Sequence, residues 1–211
     1  MTDDIRIPLT RERILRAAVD LADADGIDGL SMRKLAHSLG YEVMSLYNHV
    51  DNKDDLLAGM VDLVAGQIDR PAQGAPWKKA VRLLSLSAHD ILLRHRWAVP
   101  LWSELMPGPN RIRLMDDILG IFRDGGFSVR LTHFGYHAVT MHVVGFTLQQ
   151  LSYATPAGGM EEAGRAFLAS LDAERFPHLV EHVEFHLTDD DGGDFEFILD
   201  LILDGLERSR G

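Results

Sequence analysis

Histidines recur at helical spacing in two places of this sequence. His178, His182 and His186 repeat every four residues, as do His133 and His137. Two imidazoles one helical turn apart are able to bind one metal ion. All three histidines of the first group cannot share an ion, since its ends would lie about 12 Å apart along a helix. We expect packed or surface histidines, some titrating near pH 6, with a metal pair as the less favoured alternative.

Two further segments carry only part of a metal-binding pattern. The acidic run 189–194 is similar to a calcium loop, but Asp194 stands at the sixth position, where that loop needs glycine. In 182–186 the glutamate of the zinc-protease motif is displaced, since Glu184 stands two residues after His182 instead of directly after it. There is no cysteine, and no phosphate loop, nucleophile elbow or dinucleotide fingerprint. The sequence therefore predicts a solvated turn at 189–194, no metal centre, no cofactor and no enzyme activity.

The segment from Leu30 to Val50 carries a different chemistry, that of nucleic-acid recognition. Ala36 is small where two helices must approach, and Gly40 permits the positive φ that ends a helix in a tight turn. Three leucines are spaced to pack these helices together, namely Leu35, Leu39 and Leu46. The pattern predicts a helix-turn-helix whose second helix presents its outer residues to a major groove.

This segment closely resembles the TetR family of transcriptional regulators. The resemblance rests on Leu30-Ser-Met-Arg-Lys-Leu-Ala36, Ser45-Leu-Tyr-Asn-His-Val50 and Asn52-Lys-Asp-Asp-Leu-Leu57, and it covers about Thr10 to Asp69. It implies a DNA-binding regulator. In the form we expect, a homodimeric repressor leaves a palindromic operator on double-stranded DNA when it binds a small, largely hydrophobic molecule.

The resemblance also implies which residues meet DNA. Phosphate contacts are expected from Tyr47, His49 and Lys53, the last at a helix start that already favours anions. Tyr47 could equally bury its ring and free only its hydroxyl, and His49 could cap its helix. Arg33 could reach a phosphate or a guanine, and apolar side chains could meet thymine methyls. The candidate DNA-binding residues are Arg33, Lys34, Val43, Met44, Ser45, Tyr47, Asn48, His49 and Lys53.

Apolar spacing elsewhere predicts an all-α fold: an N-terminal three-helix helix-turn-helix DNA-binding domain plus a C-terminal helical ligand-binding and dimerisation domain. The prolines and glycine of 70–76 mark a linker, which divides the chain into residues 1–70 and 71–211. Expected helices begin after the caps Thr10, Ser31 and Asn52 and near Val43, and later span 77–95, 110–124, 128–154, 160–171, 176–187 and 194–209.

The C-terminal region resembles, more loosely, the sensor domain of the tetracycline-repressor branch. The resemblance rests on Trp77, Leu92-Leu-Arg-His-Arg96 and Gly125-Gly-Phe-Ser-Val-Arg130. Trp102 falls where that branch places a metal-binding histidine, so we do not expect tetracycline as the ligand. Apolar and thioether side chains favour a hydrophobic ligand, although each could simply be core. The candidate pocket residues are Trp102, Leu105, Met106, Met115, Phe134, His137 and Met141.

Two apolar helices predict a second subunit. The last helix is apolar on most sides, and the long helix 128–154 carries two apolar stripes. Burial against a twofold partner explains this, whereas a fully interior helix of one monomer is the alternative. The candidate dimer-interface residues are Val139, Val143, Phe146, Gln150, Phe197 and Leu201.

Net charge stands against DNA binding. It is −11 for the chain, and residues 1–70 hold 8 basic against 13 acidic side chains. This favours the alternative of a helical carrier protein that no longer reads DNA. No apolar run approaches the roughly 20 residues of a membrane span, and cysteine is absent, so we expect a cytoplasmic protein without a membrane partner.

Overall fold

The computed structural model describes residues 8–153, 159–188 and 194–210, and within them the fold is all-helical, as predicted. A short 3₁₀ turn, Ile27–Gly29, follows the first helix. The α-helices are α1 (Arg11–Asp25), α2 (Met32–Leu39), α3 (Val43–Leu46), α4 (Lys53–Ala65), α5 (Trp77–Arg94), α6 (Ala98–Glu104), α7 (Pro109–Asp124), α8 (Val129–Tyr153), α9 (Gly159–Ser170), α10 (Pro177–Thr188) and α11 (Asp194–Arg210).

The three predicted N-caps are confirmed. The side chains of Thr10, Ser31 and Asn52 each accept a hydrogen bond from the backbone amide three residues later, at 3.2, 3.2 and 2.9 Å. Gly40 ends α2 with φ of 73°, and the amide of Tyr41 donates back to the carbonyl of Ala36 at 3.0 Å. The turn between α2 and α3 is therefore determined by the local sequence.

Two helices differ from the sequence-based expectation. α3 ends at Leu46 instead of near His49, and the chain continues as a turn in which His49 donates from its amide to the Leu46 carbonyl at 2.9 Å. No helix was expected at α6, which lies between the helices expected at 77–95 and 110–124. Pro100 occupies the first turn of α6, where a backbone N–H has no partner within the helix, so proline costs little there.

Two of the three segments that carry the looser resemblance meet in the core of the C-terminal domain. Trp77, at the start of α5, packs edge-on against Phe127 with ring centroids 4.7 Å apart, and Phe122 completes the cluster. α8 crosses behind this cluster and packs against α5, α7 and α11. These four helices pack together in the core of the C-terminal domain.

The acidic strip of α11 faces α5. Arg82 pairs with Asp200 at 3.0 Å and with Glu196 at 2.5 Å, and Lys78 pairs with Asp204. Part of the negative charge of the chain is therefore neutralised within the sensor domain, away from the helix-turn-helix. These exposed pairs orient α11 on α5 more than they stabilise the fold.

Candidate nucleic-acid interface and ligand cavity

The proposed reading surface is formed by α2, α3 and the turn after α3. Leu35 and Leu46 are fully buried between the helices, as their spacing predicted. Met44 is 73% exposed and Tyr47 is 41% exposed, so the tyrosine ring is not a core side chain. Of the remaining candidates, Arg33, Lys34 and Asn48 are exposed, as is Lys53 at the start of α4, and Val43, Ser45 and His49 are half-buried.

Two of the candidate cations differ in their surroundings. Lys34 is paired with Asp25 of α1 at 2.7 Å, so a phosphate would have to compete with that carboxylate. Lys53 is the first residue of α4, next to the Asn52 cap, and it forms no ion pair within the part of the chain that the structure describes. Lys53 is accordingly the better placed of the two for a backbone phosphate.

A network missed by sequence reasoning ties this surface together. Arg11 of α1 pairs with both carboxylate oxygens of Asp55 of α4, each at 2.7 Å, and donates to the backbone carbonyl of His49 at 2.9 Å. Hydrogen bonding to Arg11 lowers the pKa of the Asp55 carboxyl, and Asp55 in turn raises the pKa of Arg11. The turn carrying His49 is thereby fixed to α1 and α4.

The sensor domain encloses a cavity of about 580 Å³ between α5, α6, α7 and α8. Its lining is mostly apolar, as is usual for small-molecule sites. Six of the seven predicted pocket residues line it, namely Trp102, Leu105, Met106, Met115, His137 and Met141. Phe134 does not line it, because α8 turns that ring toward the outside, where it is 51% exposed.

The chemically distinctive lining residue is Arg111 of α7, which sequence reasoning passed over. It is 9% exposed, and its guanidinium donates to the backbone carbonyls of Leu105, at 3.0 Å, and of Trp102. Burial lowers the pKa of Arg111 and raises that of the neighbouring Tyr136. A signal was available: Arg111 lies on the same face of α7 as the buried Leu114 and Ile118.

Two direct connections link the cavity walls to the helix-turn-helix. Asp62 of α4 accepts hydrogen bonds from the backbone amides of Asn110, at 3.2 Å, and Arg111, at 2.9 Å, and so caps the start of α7. Asp23 of α1 contacts His95, at 2.9 Å, and accepts a hydrogen bond from the Trp97 indole, at 2.6 Å, just before α6. Displacement of α6 or α7 would therefore pull on α4 and α1.

The predicted dimer-interface residues divide into two groups. Val139 and Val143 are 2% and 6% exposed within one chain, so their assignment to an interface is wrong: that stripe of α8 packs on its own core. Phe146 also packs inward, against Phe195. Gln150 is exposed, and Phe197 and Leu201 of α11 are 65% and 54% exposed.

The uncovered apolar side of α8 is the other stripe. Phe134, Met141 and Leu148 are 51%, 69% and 44% exposed on this helix. Phe197 and Leu201 of α11, which packs against α8, are exposed as well, and we call these five side chains the α8/α11 face. An apolar face of this kind on two adjacent helices is typical of a protein–protein contact.

The histidine repeats show no third ligand. The rings of His182 and His186 lie 4.5 Å apart, as do those of His133 and His137. Within the described ranges, no group of three metal-ligating side chains is found. The calcium-like run lies outside the described residues, apart from Asp194. No described helix is long and apolar enough to cross a bilayer.

Comparisons with known proteins agree with this geometry. Residues 14–60 match the family described as bacterial regulatory proteins, tetR family, and residues 70–210 match the tetracyclin repressor-like C-terminal domain. The chain is 32% identical to the HTH-type transcriptional repressor DrrR1 of Streptomyces coeruleorubidus, over 94% of this chain and 77% of that protein.

Two further similarities are informative. An HTH-type transcriptional regulator of Saccharopolyspora erythraea is 35% identical over 139 residues, which span 65% of this chain and 59% of that protein. The crystal structure of ActR from Streptomyces coelicolor in complex with actinorhodin superposes with a TM-score of 0.84 at 32% identity, covering 97% of this chain and all of ActR.

Proposed function

The chain belongs to the TetR family of bacterial transcriptional regulators, and on that premise we propose that it is a homodimeric repressor that a small, largely apolar molecule releases from a palindromic operator. It is a regulator and not an enzyme. The observation that carries the proposal is that the lined cavity and the helix-turn-helix share direct contacts through Asp62 and Asp23. The protein would act in the cytoplasm, where its DNA lies.

We assign DNA contacts to the exposed side of the helix-turn-helix. Met44, Ser45 and Asn48 would read base edges, while Tyr47 and Lys53 would hold phosphates. A twofold dimer formed through the α8/α11 face presents two such surfaces, which would enter major grooves about one helical turn apart, roughly 34 Å. The operator is then a palindrome that mirrors the symmetry of the protein.

We assign ligand binding to the cavity. Its volume suits a drug-sized molecule, and its walls are contributed by the elements that Asp62 and Asp23 connect to the helix-turn-helix. A ligand that repositions α6 or the start of α7 would change the separation of the two reading surfaces. The effect on DNA affinity is limited by the difference in ligand affinity between the two states.

The carrier hypothesis is disfavoured, because the relatives of this chain are transcriptional regulators. It rested on acidic net charge alone, and part of that charge lies on α11, away from the helix-turn-helix, where it is paired with Lys78 and Arg82 of α5. A gel-shift experiment with fragments of the gene's own upstream region at low salt tests the repressor assignment. We expect one palindromic fragment to be retained in preference to unrelated DNA of equal length, and no preference for any fragment would contradict it.

A further inference from the structure

The ligand cavity contains a buried cation that the protein leaves without a countercharge. We propose that this cavity recognises an apolar molecule by a single anionic group, which Arg111 binds with the help of Tyr136. The inference rests on the proposed function and narrows it, because it states the chemical class of the ligand. It is carried by the burial, the partners and the position of the Arg111 side chain.

The charged side chain of Arg111 lies in an environment that is unfavourable for charge. Its side chain is buried in a mostly apolar cavity, where an unpaired ion is costly. Two of its N–H groups donate to the carbonyls of Leu105 and Trp102 at the end of α6. A guanidinium carries five N–H donors, and the others find no acceptor among the residues that the structure describes.

The nearby carboxylates do not neutralise it. Asp62 raises the pKa of Arg111, but burial lowers it by more, and the Asp62 carboxylate is occupied by the two backbone amides at the start of α7. Glu104 lines the cavity at an exposed position, and no ion pair between it and Arg111 is present in the described structure. A position for a ligand anion is therefore open next to the guanidinium.

Two of the other polar lining groups are already satisfied, which favours this end of the cavity for the anion. The hydroxyls of Ser85 and Thr140 donate to carbonyls of their own helices, both at 2.8 Å, and so are satisfied without a ligand. The Tyr136 hydroxyl has no hydrogen-bond partner among the described residues, and Tyr136 lies close enough to Arg111 for each to affect the pKa of the other. One cation and one hydroxyl donor thus face the same volume.

The remaining surface favours an aromatic body. The Trp102 ring lies with its centroid 5.1 Å from the Arg111 guanidinium carbon, and the walls beyond are aliphatic, including Leu114, Ile118 and Val139. A carboxylate matches the planar fork of arginine with two parallel hydrogen bonds. The backbone amide of Arg111 donates to Asp62 of α4. An anion bound to the Arg111 side chain would therefore also act on α4.

Two matched probes test the inference with the full-length protein: naphthalene-2-carboxylate, which is ionised at pH 7.5, and the neutral naphthalene-2-carboxamide. Quenching of tryptophan fluorescence and calorimetry measure both affinities. We expect wild-type protein to prefer the carboxylate about tenfold or more, because charge-assisted hydrogen bonds are the stronger ones. Arg111→Met should abolish this preference while retaining affinity for the carboxamide, and Tyr136→Phe should reduce the preference.

Equal affinities for the two probes in wild-type protein, or no measurable binding of the carboxylate, would overturn the inference. Because Arg111 also binds carbonyls of α6, the comparison of probes in wild-type protein and in Tyr136→Phe stands even where Arg111→Met does not fold. Operator binding is measured on the same samples. If wild-type protein binds its operator but shows no preference for the carboxylate, the inference about the ligand is wrong and the proposed function stands. If wild-type protein shows no sequence-specific DNA binding, the proposed function is wrong.

Discussion

The carboxylate of Asp62 accepts a hydrogen bond of 2.9 Å from the backbone amide of Arg111, the residue whose side chain enters the ligand cavity. Asp62 belongs to α4, which packs on α1 beneath the reading helices. The packing is close, because a Cβ added to Gly108 would lie 2.5 Å from the Asp62 carboxyl carbon. One buried carboxylate therefore connects the DNA-reading and ligand-binding parts of the chain.

Asp62→Ala should lower the free energy of unfolding by about 1–2 kcal/mol, because the start of α7 loses its cap and two amides lose their acceptor. Urea unfolding followed by circular dichroism measures the effect. Asp116→Ala, at an exposed position of α7, is the matched control and should change the free energy of unfolding by less than about 0.5 kcal/mol. Equal losses in the two variants would show that the Asp62 contacts contribute nothing.

Phe197→Glu should convert the dimer to a folded monomer, since it places a charge on the uncovered α8/α11 face, where Phe197 is 65% exposed. Light scattering coupled to size exclusion gives the mass, and circular dichroism verifies the fold. Ile112→Glu on α7 is the control, because Ile112 is similarly exposed but lies outside that face. A dimer that persists in Phe197→Glu would place the interface elsewhere.

Lys53→Ala should weaken binding to all DNA sequences about equally and reduce the slope of log K against log salt by about one, because one phosphate contact releases about one counterion. Lys34→Ala should change the slope less, since Lys34 is already paired with Asp25. Fluorescence anisotropy between 50 and 200 mM salt, roughly the range over which this dependence is clear, provides both slopes. An unchanged slope for Lys53→Ala would exclude a phosphate contact at that residue.

Two histidines, the buried His89 and the half-buried His142, should make stability depend on pH. Burial lowers the pKa of both His89 and His142, whose rings stack on the Phe195 ring with centroids 3.9 and 4.6 Å away. The unfolded chain therefore binds protons more readily. The stabilisation is complete above about pH 6.5, the unfolded pKa, and is lost as the pH falls through the lower folded values.

Unfolding by urea at pH 7.5 and at pH 5.5 measures this dependence. His142→Gln should reduce it while keeping a side-chain N–H for the carbonyl of Phe195, which His142 now reaches at 2.9 Å. The exposed His178 offers the control, because His178→Gln should leave the pH dependence as it is in wild-type protein. A stability that rises on acidification would contradict the assignment.

The sequence predicted the elements whose determinants are local. The caps Thr10, Ser31 and Asn52 and the turn at Gly40 depend on side chains within a few residues, and they appear as expected. α6 was missed: it has only seven residues, and Pro100 lies in its first turn, where a proline carries little penalty.

Properties that depend on packing were harder to predict. α8 has apolar residues on several faces, so periodicity did not distinguish the inward stripe, with Val139 and Val143, from the outward stripe, with Met141 and Leu148. Six pocket residues were found because, apart from His137, they are apolar, and because they are close in sequence or on facing helices. Arg111 and Asp62 were missed because the hydrogen bond that connects them joins residues 49 positions apart, which local sequence patterns do not show.

The most direct test of the account compares the upstream palindrome with a copy in which one half-site is scrambled, using fluorescence anisotropy at a single salt concentration. Each lost base contact costs about 1–3 kcal/mol, so we predict that the scrambled copy binds at least roughly a hundredfold more weakly. Phe197→Glu should largely lose this discrimination. Equal affinity of wild-type protein for both DNAs would contradict a dimeric repressor that reads two half-sites.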